Sequence, residues 1–193
     1  MREKIEEILI EISLKLAKEG KGCIFVIKEK DINYEAFIDQ DIKPFSIFDD
    51  KNRKRLELLA SHDGACIIDL NGNLIAYGTN IPNIRIFPGF GARHSAAYTA
   101  SLSGNTVIIS SEEDKKVKIF KEGKLVIQID ALTKGVEKKT SEIRELFEGI
   151  GAGAVGSTGI GILAPTLGIT FIPGVIVFGS AYYLINKFLE NKK

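Results

Sequence analysis

The feature that most constrains this chain is a stretch without formal charge: from Gly149 to Asn186, 38 consecutive residues include no Asp, Glu, Lys or Arg. Residues 1–133 ahead of it carry 19 basic and 20 acidic side chains, the balanced surface of a domain that folds in water. So divided a chain reads as a charged domain followed by a glycine-rich apolar segment. A bilayer core takes about 20 helical residues per pass, which makes the uncharged run nearly two passes long. Pro165, Gly168, Pro173 and Gly174 near its middle would break a helix into two arms. Lys134, Lys138 and Lys139 precede the run and Lys187, Lys192 and Lys193 follow it, favouring both ends in the cytoplasm. Gly149, Gly153, Ser157 and Gly161 form a small-residue stripe on which helices can pack closely. The expected organisation is a folded domain over 1–131, a helical linker over 132–148 and a membrane hairpin over 149–193. A helical pair packed on the domain, or an oligomerisation segment, would satisfy the same composition. Met1 to Glu7 is mostly charged and cannot be the apolar core of a secretory signal, so the expectation is membrane association with the folded domain in the cytoplasm.

A formal net charge of +1 argues against a surface that neutralises phosphates along a nucleic acid. With 45% hydrophobic residues the chain is not disordered. Cys23 and Cys66 sit inside apolar runs with no metal-ligand spacing between them. They read as small buried residues in a reducing compartment, with a disulfide between them left open.

Periodicity predicts an amphipathic helix over 3–19, with Ile5, Ile8, Leu9, Ile12 and Leu16 inward and Gly20 as its stop. Cys23–Lys28 reads as a buried strand, and Lys51–Ala60 as a helix with Leu56, Leu58 and Leu59 inward. Ala65–Leu70 is the next strand, joined through Asn71-Gly72-Asn73 to Leu74–Tyr77 as a hairpin. An alanine-rich helix follows over 93–102, then a strand over 106–110. A second hairpin, Val117–Lys121 and Lys124–Ile129, turns on Glu122-Gly123. Hairpins together with crossovers predict an α/β domain whose central sheet, flanked by helices, mixes parallel and antiparallel pairs.

Three short segments could carry chemistry. His62-Asp63-Gly64-Ala65 places a carboxylate and an imidazole at a strand entry, where they could hold a divalent metal or accept a hydroxyl proton. Gly89 to Ala97 leads glycines into a helix, exposing backbone N–H groups as an anion seat with Arg93 beside it. Ser110-Ser111-Glu112-Glu113 follows a strand at an end where ligands gather in open α/β sheets. Each is ordinary on its own: a turn, a solvated helix start, a solvated loop, the last being the better reading for Glu113. The only two histidines, His62 and His94, fall inside the first two segments.

Taken in order and spacing, Asp63-Gly64-Ala65, Gly91-Ala92-Arg93-His94-Ser95 and Ser111-Glu112-Glu113 resemble the diadenylate cyclase (DAC) family. Its blocks read Asp-Gly-Ala, Gly-Thr-Arg-His-Arg and Ser-Glu-Glu, and the resemblance covers roughly residues 3–130. It implies condensation of two ATP molecules into cyclic di-AMP with release of two pyrophosphates, dependent on Mn²⁺ or Mg²⁺. By the same resemblance Asp63, Arg93 and His94 are the catalytic residues, and Asp63 with His62 the metal ligands. Gly64, Ala65, Gly91, Ala92, Arg93, His94, Ser111 and Glu112 would contact ATP, Ser111 and Glu112 serving as nucleotide or metal contacts. Tyr77 would stack near adenine, although a core or edge aromatic explains it equally well. The product joins two nucleotides, so the resemblance also implies a homo-oligomer, at least a face-to-face dimer.

Two positions depart from the pattern. Ala92 stands where the family has threonine, removing a hydroxyl, and Ser95 where it has arginine, removing a charge. They motivate an alternative in which the domain is a catalytically impaired, membrane-tethered nucleotide sensor. A third reading makes the apolar tail itself the main function, as a pore or scaffold. Membrane segments in this family commonly precede the cyclase domain, so a tail behind it is a further departure.

Overall fold

In the computed structural model, residues 1–151 and 169–170 are described. The chain opens with α1 (Arg2–Glu19), which ends where Gly20 turns left-handed at φ 73° and the N–H groups of Gly20 and Lys21 return to the carbonyls of Ala17 and Leu16. β1 (Cys23–Ile27) follows. The two-residue strands β2 (Glu35–Ala36) and β3 (Phe45–Ser46) lie in the connection to α2 (Asp50–Ala60). Asp49 caps α2 by accepting from the Lys51 N–H at 2.8 Å. Then come β4 (Ala65–Ile68), β5 (Asn73–Asn80), α3 (Ala92–Leu102), β6 (Thr106–Ser111), β7 (Lys116–Lys121) and β8 (Lys124–Asp130). A short 3₁₀ turn at Val136–Lys138 leads into α4 (Thr140–Gly151), and β9 (Ile169–Thr170) pairs with β8.

The sheet runs β2-β5-β4-β1-β6-β7-β8-β9, with β3 also on β5. Among the described residues only β1 and β4 are parallel, the crossover between them carrying α2; every other pair is antiparallel. The expected mixed sheet flanked by helices is therefore the fold observed. Side-chain alternation divides the core in two. Cys23, Phe25, Ile27, Cys66, Ile68, Ile108, Val117 and Ile119 face one side, with α1 and Leu56 of α2. Ile24, Val26, Ala65, Ile67, Val107, Ile109 and Phe120 face the other, under Ala96, Ala97 and Ala100 of α3. Those alanines let α3 lie close on the sheet, which is why the 89–95 segment sits directly over the strand ends.

Leu58 corrects one expectation: it is 66% exposed, while Leu56 and Ala60 take the buried face of α2. Residues four apart share a helix face, whereas Leu58 is rotated about 200° from Leu56. The segment expected to be a linker packs on α1. Val136 and Ile143 join the core, and Arg144 pairs with Glu3 at 3.1 Å and Glu7 at 3.2 Å. Apart from residues 149–151 at the end of α4 and the two residues of β9, the expected membrane hairpin lies outside the described residues. No helix among the described residues is long and apolar enough to cross a membrane.

Candidate active site

Strand register builds the site. Ile24 pairs with Ala65, so Gly22 and Asp63 each lie two residues ahead of that pair, at the same edge of the sheet. Cys23 pairs with Ser110, so Gly22 stands equally beside Ser111 on its other flank. Asp63, Gly22 and Ser111 thus mark three neighbouring chain ends, spanning about 10 Å at the usual inter-strand spacing. The Ser110 hydroxyl locks this edge by donating to the Lys21 carbonyl at 2.7 Å. β6 runs against β1 and β4, so its carboxyl end meets their amino ends. Of these three strands only β6 reaches the site by the carboxyl-end rule.

Arg93 crosses above Gly22. A Cβ at position 22 would overlap the guanidinium carbon and both terminal nitrogens, so the glycine is the seat of the arginine. Arg93 Nη1 also lies 3.4 Å from Glu112 Oε1. Arg93 and Glu112 thus meet over Gly22, at the sheet edge where Asp63 leads into β4. Gly91 precedes α3 with no side-chain cap, leaving the amides of Ala92, Arg93 and His94 without intrahelical partners. A Cβ at Gly89 or Gly91 would meet nothing within 4 Å, so these glycines border open space. A cleft of about 490 Å³ lies between the Gly89–Gly91 turn, His94, Ser111, Asp114 and Lys118, a volume in the range of small-molecule sites.

Gly64 is held at φ 99°, and a Cβ there would come within 2.6 Å of the Gly78 carbonyl carbon and the Thr79 nitrogen. Close backbone packing against β5 thus fixes the residue that follows Asp63. Ala65 is buried, and its carbonyl accepts from Thr79 Oγ1 at 3.0 Å. Tyr77 goes elsewhere. Its ring belongs to the core on the α1 and α2 side, its hydroxyl donates to the Asp39 carbonyl at 3.2 Å, and its backbone exchanges hydrogen bonds with the Gln40 side chain. The structure gives it the core role and does not bring it to the α3 side. Ala92 is exposed at the first turn of α3. Ser95 is buried, its Oγ accepting from Phe87 N–H at 3.0 Å; together with Thr99 Oγ1, which accepts from Arg85 N–H at 2.8 Å, it straps the 82–90 loop to α3. An arginine at 95 would not fit that buried strap, so serine here belongs to the loop's packing.

Sequence reasoning missed three participants. Lys118 is 2% exposed, with Nζ 2.8 Å from both His94 Nε2 and Asp114 Oδ2. It alternates with Val117 and Ile119, so period two assigns it to an outer face, but α3 covers that face. Asp114 shows no signal in a run of acidic residues, and Gly22 reads only as the link between helix and strand. Glu113, expected as a solvated turn residue, is exposed but borders the cleft. Burial, then the neighbouring Lys118 charge, pushes His94 down to about 4, so the imidazole is neutral. Burial would raise the Asp114 carboxyl, but hydrogen bonds from Lys118 and Ser111 and the lysine charges outweigh it and hold the carboxyl low.

Two donors at the strand entry suit a hard divalent ion. The Asp63 carboxylate is exposed with no hydrogen-bond or ion-pair partner among the described residues. His62 engages the Leu58 carbonyl through Nδ1 at 2.8 Å, which leaves Nε2 as its ligating atom. No group of three or more His, Cys, Asp or Glu converges among the described residues. One carboxylate and one imidazole fit an ion whose remaining positions are filled by phosphate oxygens and water.

Residues 12–125 match the family described as DAC, DisA bacterial checkpoint controller nucleotide-binding. A protein named diadenylate cyclase from Methanocaldococcus jannaschii is 31% identical over 137 residues, covering 63% of this chain and 44% of its own length. Another of that name, from Haloferax volcanii, is 27% identical over 145 residues, 63% of this chain and 51% of its own. The chain thus matches about half the length of these curated relatives. The crystal structure of DacA from Staphylococcus aureus, a double cysteine mutant, superposes with a TM-score of 0.50 at 22% identity. That match covers 75% of this chain and 93% of that one, and it speaks to the fold.

Proposed function

Because this chain belongs to the DAC family of nucleotide-binding domains, we propose that it condenses two ATP molecules into cyclic di-AMP and releases two pyrophosphates. The observation that supports the reading is Arg93, seated on Gly22 and 3.4 Å from Glu112, at the sheet edge where Asp63 leads into β4. The names of the two relatives support it.

In each half-reaction a ribose 3′-oxygen attacks the α-phosphorus of the other ATP, forming one P–O bond. The bond to the pyrophosphate oxygen breaks and its electron pair leaves with pyrophosphate. Asp63, which has no hydrogen-bond or ion-pair partner among the described residues, takes the 3′-hydroxyl proton. Arg93 and the free amides opening α3 hold the phosphates, where their fixed dipoles oppose the charge that builds on the leaving group. Asp63 and His62 would hold a divalent ion, Mn²⁺ or Mg²⁺, which when bound polarises the phosphate oxygens. One domain holds one ATP, so catalysis takes two copies with their sites opposed. The uncharged tail tethers the domain to the membrane, with the site on the cytoplasmic side.

The test is mass spectrometry of the products after the purified full chain meets ATP with Mn²⁺ or Mg²⁺. Cyclic di-AMP and pyrophosphate should appear in a 1:2 ratio, and Asp63→Asn should abolish both. No product with either metal would overturn the enzyme, and tight ATP binding without turnover would replace it with a sensor.

A further inference from the structure

The cleft between the Gly89–Gly91 turn and β7 contains a buried cation that the reaction above does not use. Lys118 projects from β7 to the α3 side, 2% exposed, among Phe90, His94 and Asp114. A buried ammonium persists only where each of its protons finds a partner. Here Asp114 Oδ2 takes one at 2.8 Å, His94 Nε2 takes another at 2.8 Å, and the Phe90 ring offers its face with the centroid 5.2 Å away. An ammonium donates and cannot accept, so Nε2 of His94 must be the acceptor. An imidazole that accepts through one nitrogen and is neutral carries its single proton on the other.

We propose that Lys118 is a positioning residue: its hydrogen bond to Nε2 fixes His94 as the Nδ1–H tautomer, so that His94 serves the nucleotide site as a hydrogen-bond donor and never as a base. The inference rests on the nucleotide-site reading for its role in turnover, but the tautomer stands on geometry alone. The charged groups facing the imidazole are consistent with it. Lys118 comes from β7, Asp114 and Glu113 from the turn ahead of β7, and Arg93 from the same helix; Phe90 packs on the ring at 4.7 Å and Phe120 at 6.5 Å between centroids. Burial and the two cations oppose a second proton, with Asp114 alone favouring it. With Nδ1–H, the Arg93 guanidinium and the free amides of α3 all donating, the start of this helix is a cradle of donors. The proton acceptor must then lie across the edge, at Asp63.

The chain has only two histidines, so ¹⁵N-histidine labelling of the full protein gives two ring signatures, and His62→Gln assigns them. At neutral pH, His94 should show a protonated Nδ1 and an unprotonated Nε2. Lys118→Met should release Nε2 to take the proton and lower kcat about ten- to hundredfold, with KM for ATP changed less than about threefold. Lys118→Arg, which can still donate to Nε2, should keep the wild-type tautomer and recover part of the rate. A wild-type His94 protonated at Nε2 overturns the proposal without any variant. So does a folded Lys118→Met with unchanged tautomer and kcat. If Lys118→Met does not fold, an Nε2–H tautomer in Lys118→Arg overturns it equally. The expected tautomer in a wild type that makes no cyclic di-AMP would refute the enzyme reading while leaving the hydrogen bond in place.

Discussion

The guanidinium of Arg93 occupies the space that a side chain on Gly22 would fill, although the two residues are far apart in the chain. The overlap is with the end of a flexible side chain, so Gly22→Ala should cost little stability. It should instead displace the arginine from the proposed phosphate seat. The expected outcome is a loss of about tenfold or more in kcat/KM for ATP with a melting temperature changed by less than about 3 °C. Steady-state kinetics beside calorimetry checks it, and a large fall in melting temperature with normal kinetics would contradict the seating.

Gly64 presents the opposite case. Its positive φ and its contact with the backbone of Gly78 and Thr79 cannot be relieved by a rotamer change. Gly64→Ala should therefore destabilise the domain by about 2–4 kcal/mol. Urea unfolding should show the midpoint falling at constant slope, with hydrogen exchange rising first along β4 and β5.

The neutral His94 gives stability a pH dependence. Its native value, about 4, lies below the ordinary 6.5, so between these values the unfolded chain binds more protons. Stability from this group is complete above about pH 6.5 and declines as the pH falls toward 4, by on the order of 2 kcal/mol. Asp114, held low, adds a second loss at still lower pH as it protonates. Denaturation midpoints measured from pH 7.5 to 4.5 should fall for the wild type, and His94→Gln should flatten that slope.

Both thiols should be silent in the native protein. Cys23 and Cys66 are free and buried on the α1 side, and burial pushes both thiols up. A thiol reagent should count none before unfolding and two after it in guanidinium, with no reductant needed.

The fold was legible where one physical signal dominated. Ile5, Leu9, Ile12 and Leu16 announce α1 because a helix buried along one face repeats with its period. β2 and β3 were invisible because two residues carry no period; each exists only through pairing with β5. At the site, the neighbourhood of Arg93 and Glu112 and the position of Asp63 ahead of β4 were legible through motif order. Lys118 was not, because a two-face alternation cannot reveal that both faces of a sheet are covered. Tyr77 shows the converse limit: its type suits stacking on a base, while its strand position alone decides which side of the sheet it meets.

The parallel pairing of β1 with β4 and the antiparallel pairing of β1 with β6 have an evolutionary and engineering consequence. The connection over 28–49 can be lengthened or shortened without altering which residues face each other at the edge. One residue inserted within β1 would turn Gly22 to the opposite side of the sheet, leaving Arg93 without its seat. The domain should therefore accept grafted loops readily and reject single insertions in its central strands.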